Sequence, residues 1–575
     1  MRFLFKSQII LLVLCGLATG APIHPVHAQH AIVTSVHELA SRAGTEMMQA
    51  GGNAVDAAVA TGFALAVVHP QAGNIGGGGF MLIREAAGKV HFIDYREKAP
   101  AVATENMYLD SAGNLIENAS VIGYKSIGVP GSVAGLAYAE KKYGKLTLKQ
   151  VMAPAIRLAR DGYSLTWEDA EDLRDHHLAE FPESRRIFQR DGNFYKPGET
   201  FRQPDLARTL ERIADNPQGF YSGSMARELA ASVKKGGGLI TVEDLARYEV
   251  KEREPIRGTY REYEIISAPP PSSGGVALIE ILNILEGYDL AKLGNQSAAS
   301  VHLTLEAFRR AFFDRAEFMG DPDFARIPVA QLIDKKYAAA WREGIDPQRA
   351  TASASLKRPE IFSQLEQVAQ ANFVHESSNT THYSIVDPQG EAVAVTTTLN
   401  DSFGSRVTAE GLGFLLNDEM DDFAAKQGVP NNYGLIQGQA NAIGPNKRPL
   451  SAMTPTIVLK DGNLFLVLGS PGGPRIITTV ANTLMKVVDY GMNIQEAVNA
   501  PRIHHQWLPD VAYVEQWFSP DTVRMLQSMG YKVEFGVQYE EWEPYWSDGE
   551  CVMVAADGER LGASDKRNNG RPVGF

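Results

Sequence analysis

The residues Asn379-Thr380-Thr381-His382-Tyr383-Ser384 carry chemistry that depends on whether the chain is continuous there. A threonine hydroxyl inside a chain has no base of its own. If the bond before Thr380 is cut, that residue gains a free α-amine beside its hydroxyl, so nucleophile and general base come from one residue. The stretch lies deep in the sequence and reads as a hidden N-terminus.

Other residues offer complementary chemistry. Gly469-Ser470-Pro471-Gly472-Gly473 falls between a strand pattern and a helix pattern, where backbone N–H groups and the positive helix end suit an oxyanion. Alone, it fits an ordinary Gly/Pro turn better. Asp418-Glu419-Met420-Asp421-Asp422 suits an ammonium group or a hard cation, but in isolation reads as a solvated acidic loop. Lys447-Arg448-Pro449-Leu450-Ser451 offers donors for a carboxylate. Asp94-Tyr95-Arg96-Glu97 ends a strand with an arginine capable of bidentate recognition, although a lone arginine is more often a surface ion pair. His504 and His505 are adjacent and on a strand point to opposite faces, so structural roles are expected rather than a shared metal. His382 reads as a packing or hydrogen-bonding residue. There is no Gly-x-Ser-x-Gly elbow, Walker loop or His-Glu-x-x-His helix.

These groups need elements to hold them. Helical apolar spacing covers Glu38 to Ala50 and Asn53 to Val68, split by Gly51-Gly52. Gly76-Gly77-Gly78-Gly79 leads into strand patterns at Phe80 to Arg84 and Val90 to Tyr95. Residues 131 to 345 read as mostly helical, with Pro269-Pro270-Pro271-Ser272-Ser273-Gly274-Gly275 as a tight turn packed against something. Lys357 to Asn379 is polar and aperiodic, a candidate mobile and cleavable segment. After Thr380 the pattern turns to strands. His382 to Val386 and Ala392 to Thr398 flank Asp387-Pro388-Gln389-Gly390, a hairpin signal. Thr454 to Lys460 and Leu464 to Gly469 flank Asp461-Gly462, a helix runs from about Ile476 to Tyr490, and a last hairpin joins Cys551 to Val554 with Arg560 to Ala563. Antiparallel strands interleaved with long helices predict an α+β body of stacked sheets covered by helices.

Composition narrows the partners. Lys and Arg total 55 against 68 for Asp and Glu in 575 residues, a net charge of −13 that argues against nucleic acid and supplies no basic patch for membranes. A small-molecule substrate is expected. Met1 to Lys6 is basic, Ile9 to Ala18 apolar, and Val26-His27-Ala28 has the small outer residues of a cleavage site, so residues 1–28 read as a secretory signal. An uncleaved anchor near Cys15 is the weaker alternative, because Leu14 is too bulky for a lipoprotein box. Removal of the signal leaves Cys551 as the one cysteine, which excludes an internal disulfide and a thiol zinc site. The location expected is periplasmic or secreted.

Taken in order, Asn379 to Ser384, Thr398-Leu399-Asn400, Asp421-Asp422, Asn446 to Ser451 and Gly469 to Gly473 resemble the γ-glutamyltranspeptidases, a family of the N-terminal-nucleophile hydrolases. The likeness runs from the Gly51 region through Gly562-Ala563-Ser564-Asp565. It implies an αββα sandwich of two stacked antiparallel sheets and self-cleavage between Asn379 and Thr380. The products would be a large subunit (29–379) and a small subunit (380–575) that stay together. It also implies Thr380 as nucleophile, Thr398 as the threonine that positions it, and Gly472 and Gly473 as oxyanion donors. Arg96 and Ser451 match groups that hold the α-carboxylate of a γ-glutamyl moiety; Asn400, Glu419 and Asp422 match those that hold its α-ammonium. Glutathione is the implied donor, with water or an amino acid or dipeptide amine as acceptor, and no cofactor or metal.

Two departures stand out. Where many members have two consecutive serines this chain has Ser451-Ala452, leaving only the Ala452 N–H at one position. Pro474 follows the glycine pair where serine is common. Gln427 to Gly438 resembles a loop that covers the pocket in some members, with Tyr433 in the gating position. A cephalosporin-type acylase and a binding protein that never matures remain the alternative functions.

Overall fold

The computed structural model describes residues 23–361, 380–426, 437–536 and 546–575. Alternation along the hairpin at Asp387 gives its two strands, Thr380–Val386 and Ala392–Thr398, two different faces. Tyr383, Ile385, Val393 and Val395 join one apolar cluster with helices Glu38–Gln49 and Ala54–Val68. Val386, Ala392 and Ala394 join a second cluster with Ile457, Val467 and Val552 of another sheet. Thr380 shares the parity of Val386, so it belongs to the face turned towards that second sheet.

Among the described residues each of the two large sheets has seven strands, all antiparallel to their neighbours. The first runs from Val573–Gly574 through Ile32–Ser35, Thr380–Val386, Ala392–Thr398, Gly78–Arg84 and Val90–Asp94 to Lys251–Arg253. The second runs from Val26–Ala28 through Arg560–Ser564, Glu550–Val554, Asn463–Leu468, Thr456–Lys460 and Tyr263–Ser267 to Ile256–Tyr260. Ala54–Val68 is buried along its whole length, and its Asn53 cap and Asp56 satisfy each other's backbone N–H groups. On the far side Gly274–Leu285, Ala298–Phe318 and Arg475–Val488 cover the second sheet. The result is the expected αββα sandwich.

Three local features bear on the sequence expectation, two of them differing from it. The stretch read as mostly helical contains a hairpin, Ile256–Tyr260 with Tyr263–Ser267, which turns at Arg261 (φ 55°) and forms the edge of the second sheet. Pro269 to Gly275 is the expected tight turn, and it packs on Ser451, whose carbonyl accepts from Ser273 N at 2.7 Å and Ser273 Oγ at 2.8 Å. Val26–Ala28, read as the end of a signal, pairs with Arg560–Ser564 at the opposite edge of that sheet. A cut after Ala28 would remove that one edge strand of the seven. Among the described residues no helix is long and apolar enough to cross a membrane.

Candidate active site

The register of the Asp387 hairpin places Thr380 directly opposite Thr398. Cross-strand neighbours on one face lie about 5 Å apart at Cβ, close enough for their hydroxyls to meet. Thr380 Oγ1 donates to Thr398 Oγ1 at 3.2 Å, and Thr398 Oγ1 also accepts from Asn400 N at 2.8 Å. A one-residue slip would replace the pair by Thr381 and its neighbours, which face the helices. Asn400 holds a left-handed backbone (φ 82°), and its amide bonds Asp418 Oδ2 at 3.1 Å and Asp418 O at 3.2 Å. Such a conformation in a non-glycine residue is strained and persists because its surroundings fix it.

His382 lies two residues along the same face. Its Nδ1 bonds Thr396 Oγ1 at 2.8 Å and its Nε2 bonds Ser384 Oγ at 3.0 Å; burial pushes the imidazole down to about 3, so it stays neutral. A Cβ on Gly469 would lie 2.2 Å from this ring, so glycine is what lets the 469–473 turn sit against the nucleophile strand. Gly472 (φ 116°) and Gly473 (φ 56°) then enter helix Arg475–Val488 through Arg475 N to Gly472 O and Ile476 N to Gly473 O. Ser547 supports this turn from behind, bonding Ser470 Oγ at 2.5 Å and the Pro471 carbonyl.

The acidic run is not a solvated loop. Asp418, Glu419, Asp421 and Asp422 are all buried: Arg96, just past the strand Val90–Asp94, meets Glu419 and Asp422, Asn400 donates to Asp418, and Ser120 donates to Asp421. Arg96 pairs with Glu419 through Nη1 and with Asp422 through Nη2, and it donates to Leu450 O at 3.0 Å and Pro449 O at 3.3 Å. Burial works against the Arg96 charge, but Glu419, Asp422 and Glu97 outweigh it and hold the proton more tightly than usual. Burial also raises Glu419 well above the carboxylate range, against the pull of Arg96. The sequence reading assigned Arg96 and the acids to opposite ends of a ligand, whereas here they are joined to each other.

Arg96, Thr380, Thr398, Asn400, Glu419, Asp422, Ser451, Ala452 and Gly473 line one cavity of about 20 Å³ together with Met453 and Ile476. Ser451 Oγ accepts from Met453 N at 3.1 Å, which leaves its hydroxyl proton to donate. Lys447 and Arg448 are a correction to the sequence expectation. Lys447 Nζ is spent on Ala440 O and Ala442 O, and Arg448 on Glu249 O and Asp94, so the pocket receives backbone from that segment rather than its cations. Gly472 packs on Ser547 beside the cavity. Asn379, Tyr433 and most of Gln427 to Gly438 lie outside the described residues. His504 and His505 bond different partners, Thr478 and Asp510, in keeping with structural roles.

Residues 40–575 match the family model described as gamma-glutamyltranspeptidase. The chain belongs to the γ-glutamyltranspeptidase family. A glutathione hydrolase proenzyme of Pseudomonas sp. (strain A14) is 53% identical over 514 residues, 88% of this chain and 87% of that protein. Another glutathione hydrolase proenzyme, from Escherichia coli (strain K12), is 48% identical over 549 residues, 95% of this chain and 92% of that one. Among solved structures, cephalosporin acylase from Bacillus halodurans superposes with a TM-score of 0.82 at 26% identity, covering 98% of this chain and 99% of its own. The sandwich is thus shared with an acylase, while the two glutathione hydrolases named above, at 53% and 48%, are more similar in sequence than that acylase at 26%.

Residues of this γ-glutamyltranspeptidase-family site that sequence reasoning missed are Glu97, Met453, Ile476 and Ser547. Glu97 had a signal in its adjacency to Arg96. Ser547 had none, since it reaches the glycine turn from 75 residues further along.

Proposed function

We propose that this chain cuts itself between Asn379 and Thr380 and then transfers the γ-glutamyl group of glutathione and related amides to water or to an amine acceptor. What supports this most is the pairing of the Thr380 and Thr398 hydroxyls in the same small cavity as a buried guanidinium and two buried carboxyls. A nucleophile beside groups for both ends of a zwitterion fits a donor with an α-carboxylate and an α-ammonium. Family membership and the glutathione hydrolase relatives point the same way.

In maturation the Thr380 hydroxyl attacks the carbonyl of Asn379 and the C–N bond breaks, which frees the α-amine and leaves an ester on Oγ1; water then hydrolyses that ester, releasing the Asn379 carboxylate and restoring the Thr380 hydroxyl. In turnover Oγ1 attacks the γ-carbonyl while the α-amine takes its proton. The N–H groups of Gly472 and Gly473 receive the oxyanion, a contribution worth about 10²- to 10³-fold per donor. Collapse releases the amine with that proton and leaves a γ-glutamyl ester on Thr380. Water or a second amine resolves the ester. Arg96 and Ser451 hold the α-carboxylate; Asn400, Glu419 and Asp422 hold the α-ammonium. Because Arg96 and the acids that line the cavity are paired with each other, the donor enters by exchanging those pairs for its own charges.

Paired assays test this reading. Mature protein should hydrolyse γ-glutamyl-p-nitroanilide and leave glutaryl-p-nitroanilide, which lacks the α-amine, nearly untouched. Equal or better turnover of the glutaryl amide would favour an acylase.

Ala452 gives a second test. Its buried methyl lines the cavity beside Ser451, at a place where a hydroxyl would add a donor. A hydrogen bond to a charged group is worth about 1.5 to 3 kcal/mol, so Ala452→Ser is expected to lower the donor KM by about 10- to 150-fold. An unchanged KM would mean that Arg96 and Ser451 already satisfy the carboxylate.

A further inference from the structure

Arg96 is the guanidinium of this cavity, and three carboxyls surround it. Glu419 and Asp422 bond its Nη atoms, and Glu97 Oε2 lies 3.5 Å from Nη1. The proposed function engages only the first two. When a substrate ammonium takes Glu419 and Asp422, those acids no longer serve Arg96 alone. The guanidinium must then keep its aim at the substrate carboxylate with the Pro449 and Leu450 carbonyls and whatever anion stays behind.

We propose that Glu97 is a positioning residue: it remains the internal counter-ion of Arg96 when a donor occupies the acidic turn, and so keeps the guanidinium directed at the α-carboxylate. The proposal rests on the γ-glutamyl reading above.

The placement of Glu97 fits that role. Its side chain is buried beside Glu419, and Arg96, 3.5 Å away, is the cation that faces it. Burial raises its proton affinity and Arg96 opposes that rise. A Cβ on Gly78 would come within 2.5 Å of Glu97 Oε2, so the carboxyl occupies room that a side chain at 78 would take. Gly128 lies against its Cβ, at 3.3 Å from an added methyl. With both sides occupied, the carboxyl has little freedom to swing away from Arg96.

The test compares two amides with the same leaving group on mature enzyme. γ-Glutamyl-p-nitroanilide carries the α-carboxylate; 4-aminobutyryl-p-nitroanilide keeps the amine and lacks the carboxylate. Glu97→Gln is expected to raise KM for the first about tenfold with kcat within about threefold, the size of one charge-assisted contact, and to leave kcat/KM for the second unchanged. Glu97→Asp keeps the charge at shorter reach and should show the same selective loss in smaller measure, which covers the case in which Glu97→Gln fails to fold. Equal losses on both amides, or no loss on either, in whichever variant matures would overturn the proposal alone. Wild-type enzyme that ignores the γ-glutamyl amide would overturn the functional reading as well.

Discussion

Thr380→Ala protein is expected to accumulate as a single uncut chain with no measurable γ-glutamyl turnover. Both effects come from one missing atom. Without Oγ1 there is nothing to attack the Asn379 carbonyl, so the α-amine is never released, and there is no nucleophile for the donor. Removing a residue that acts as nucleophile costs about 10⁴-fold or more in kcat. The strand itself should survive, because the register rests on backbone pairing with Ala392–Thr398 and Ile32–Ser35, and the Thr380 side chain contributes one bond, to Thr398. Gel analysis, a γ-glutamyl-p-nitroanilide assay and a thermal melt check the three parts. Efficient processing of this variant would remove Thr380 from the mechanism. Thr380→Ser, which keeps the hydroxyl, should cut itself and turn over at reduced rates.

Asp422→Ala separates substrate binding from maturation. Asp422 bonds Arg96, while the Thr380 hydroxyl bonds Thr398, so cleavage should proceed as in the wild type. The loss falls on the donor: one of two carboxylates facing the ammonium disappears, and Arg96 is left to Glu419 and Glu97. Loss of one charged partner in a buried site costs about 2 to 3 kcal/mol, which corresponds to a KM higher by roughly 30- to 150-fold. Michaelis kinetics on purified two-fragment enzyme measure it. An unchanged KM would show that Asp422 serves only to neutralise Arg96.

The contrast between these two residues reflects how each was legible. Thr380 and Thr398 sit 18 residues apart across a Pro-Gly-containing turn; alternation with that turn predicts a hairpin of His382 to Val386 with Ala392 to Thr398, while the link between the two threonines came from family likeness, and the structure extends the first strand back to Thr380. The 469–473 turn was equally visible as a strand-to-helix junction, although the reason for Gly469, the His382 ring, lies on another strand. Asp422 was visible only through family likeness. By residue type alone, Asp418 to Asp422 is a solvated loop; in the fold Asp422 is buried against Arg96, 326 positions earlier, and Asp418 and Asp421 against Asn400 and Ser120. Lys447 and Arg448 erred in the opposite direction. Their charge and place in the sequence suggested carboxylate donors, but local carbonyls and Asp94 claimed both side chains. The hairpin at 256–267 was missed because two five-residue strands, one interrupted by Gly258, carry little periodic signal between long helices.

Everything in the account depends on Thr380 acquiring a free amine. N-terminal sequencing of the smaller fragment of purified protein tests this directly. The account predicts Thr-Thr-His-Tyr-Ser, beginning at Thr380. A fragment starting elsewhere, or active protein that remains one unbroken chain, would contradict it.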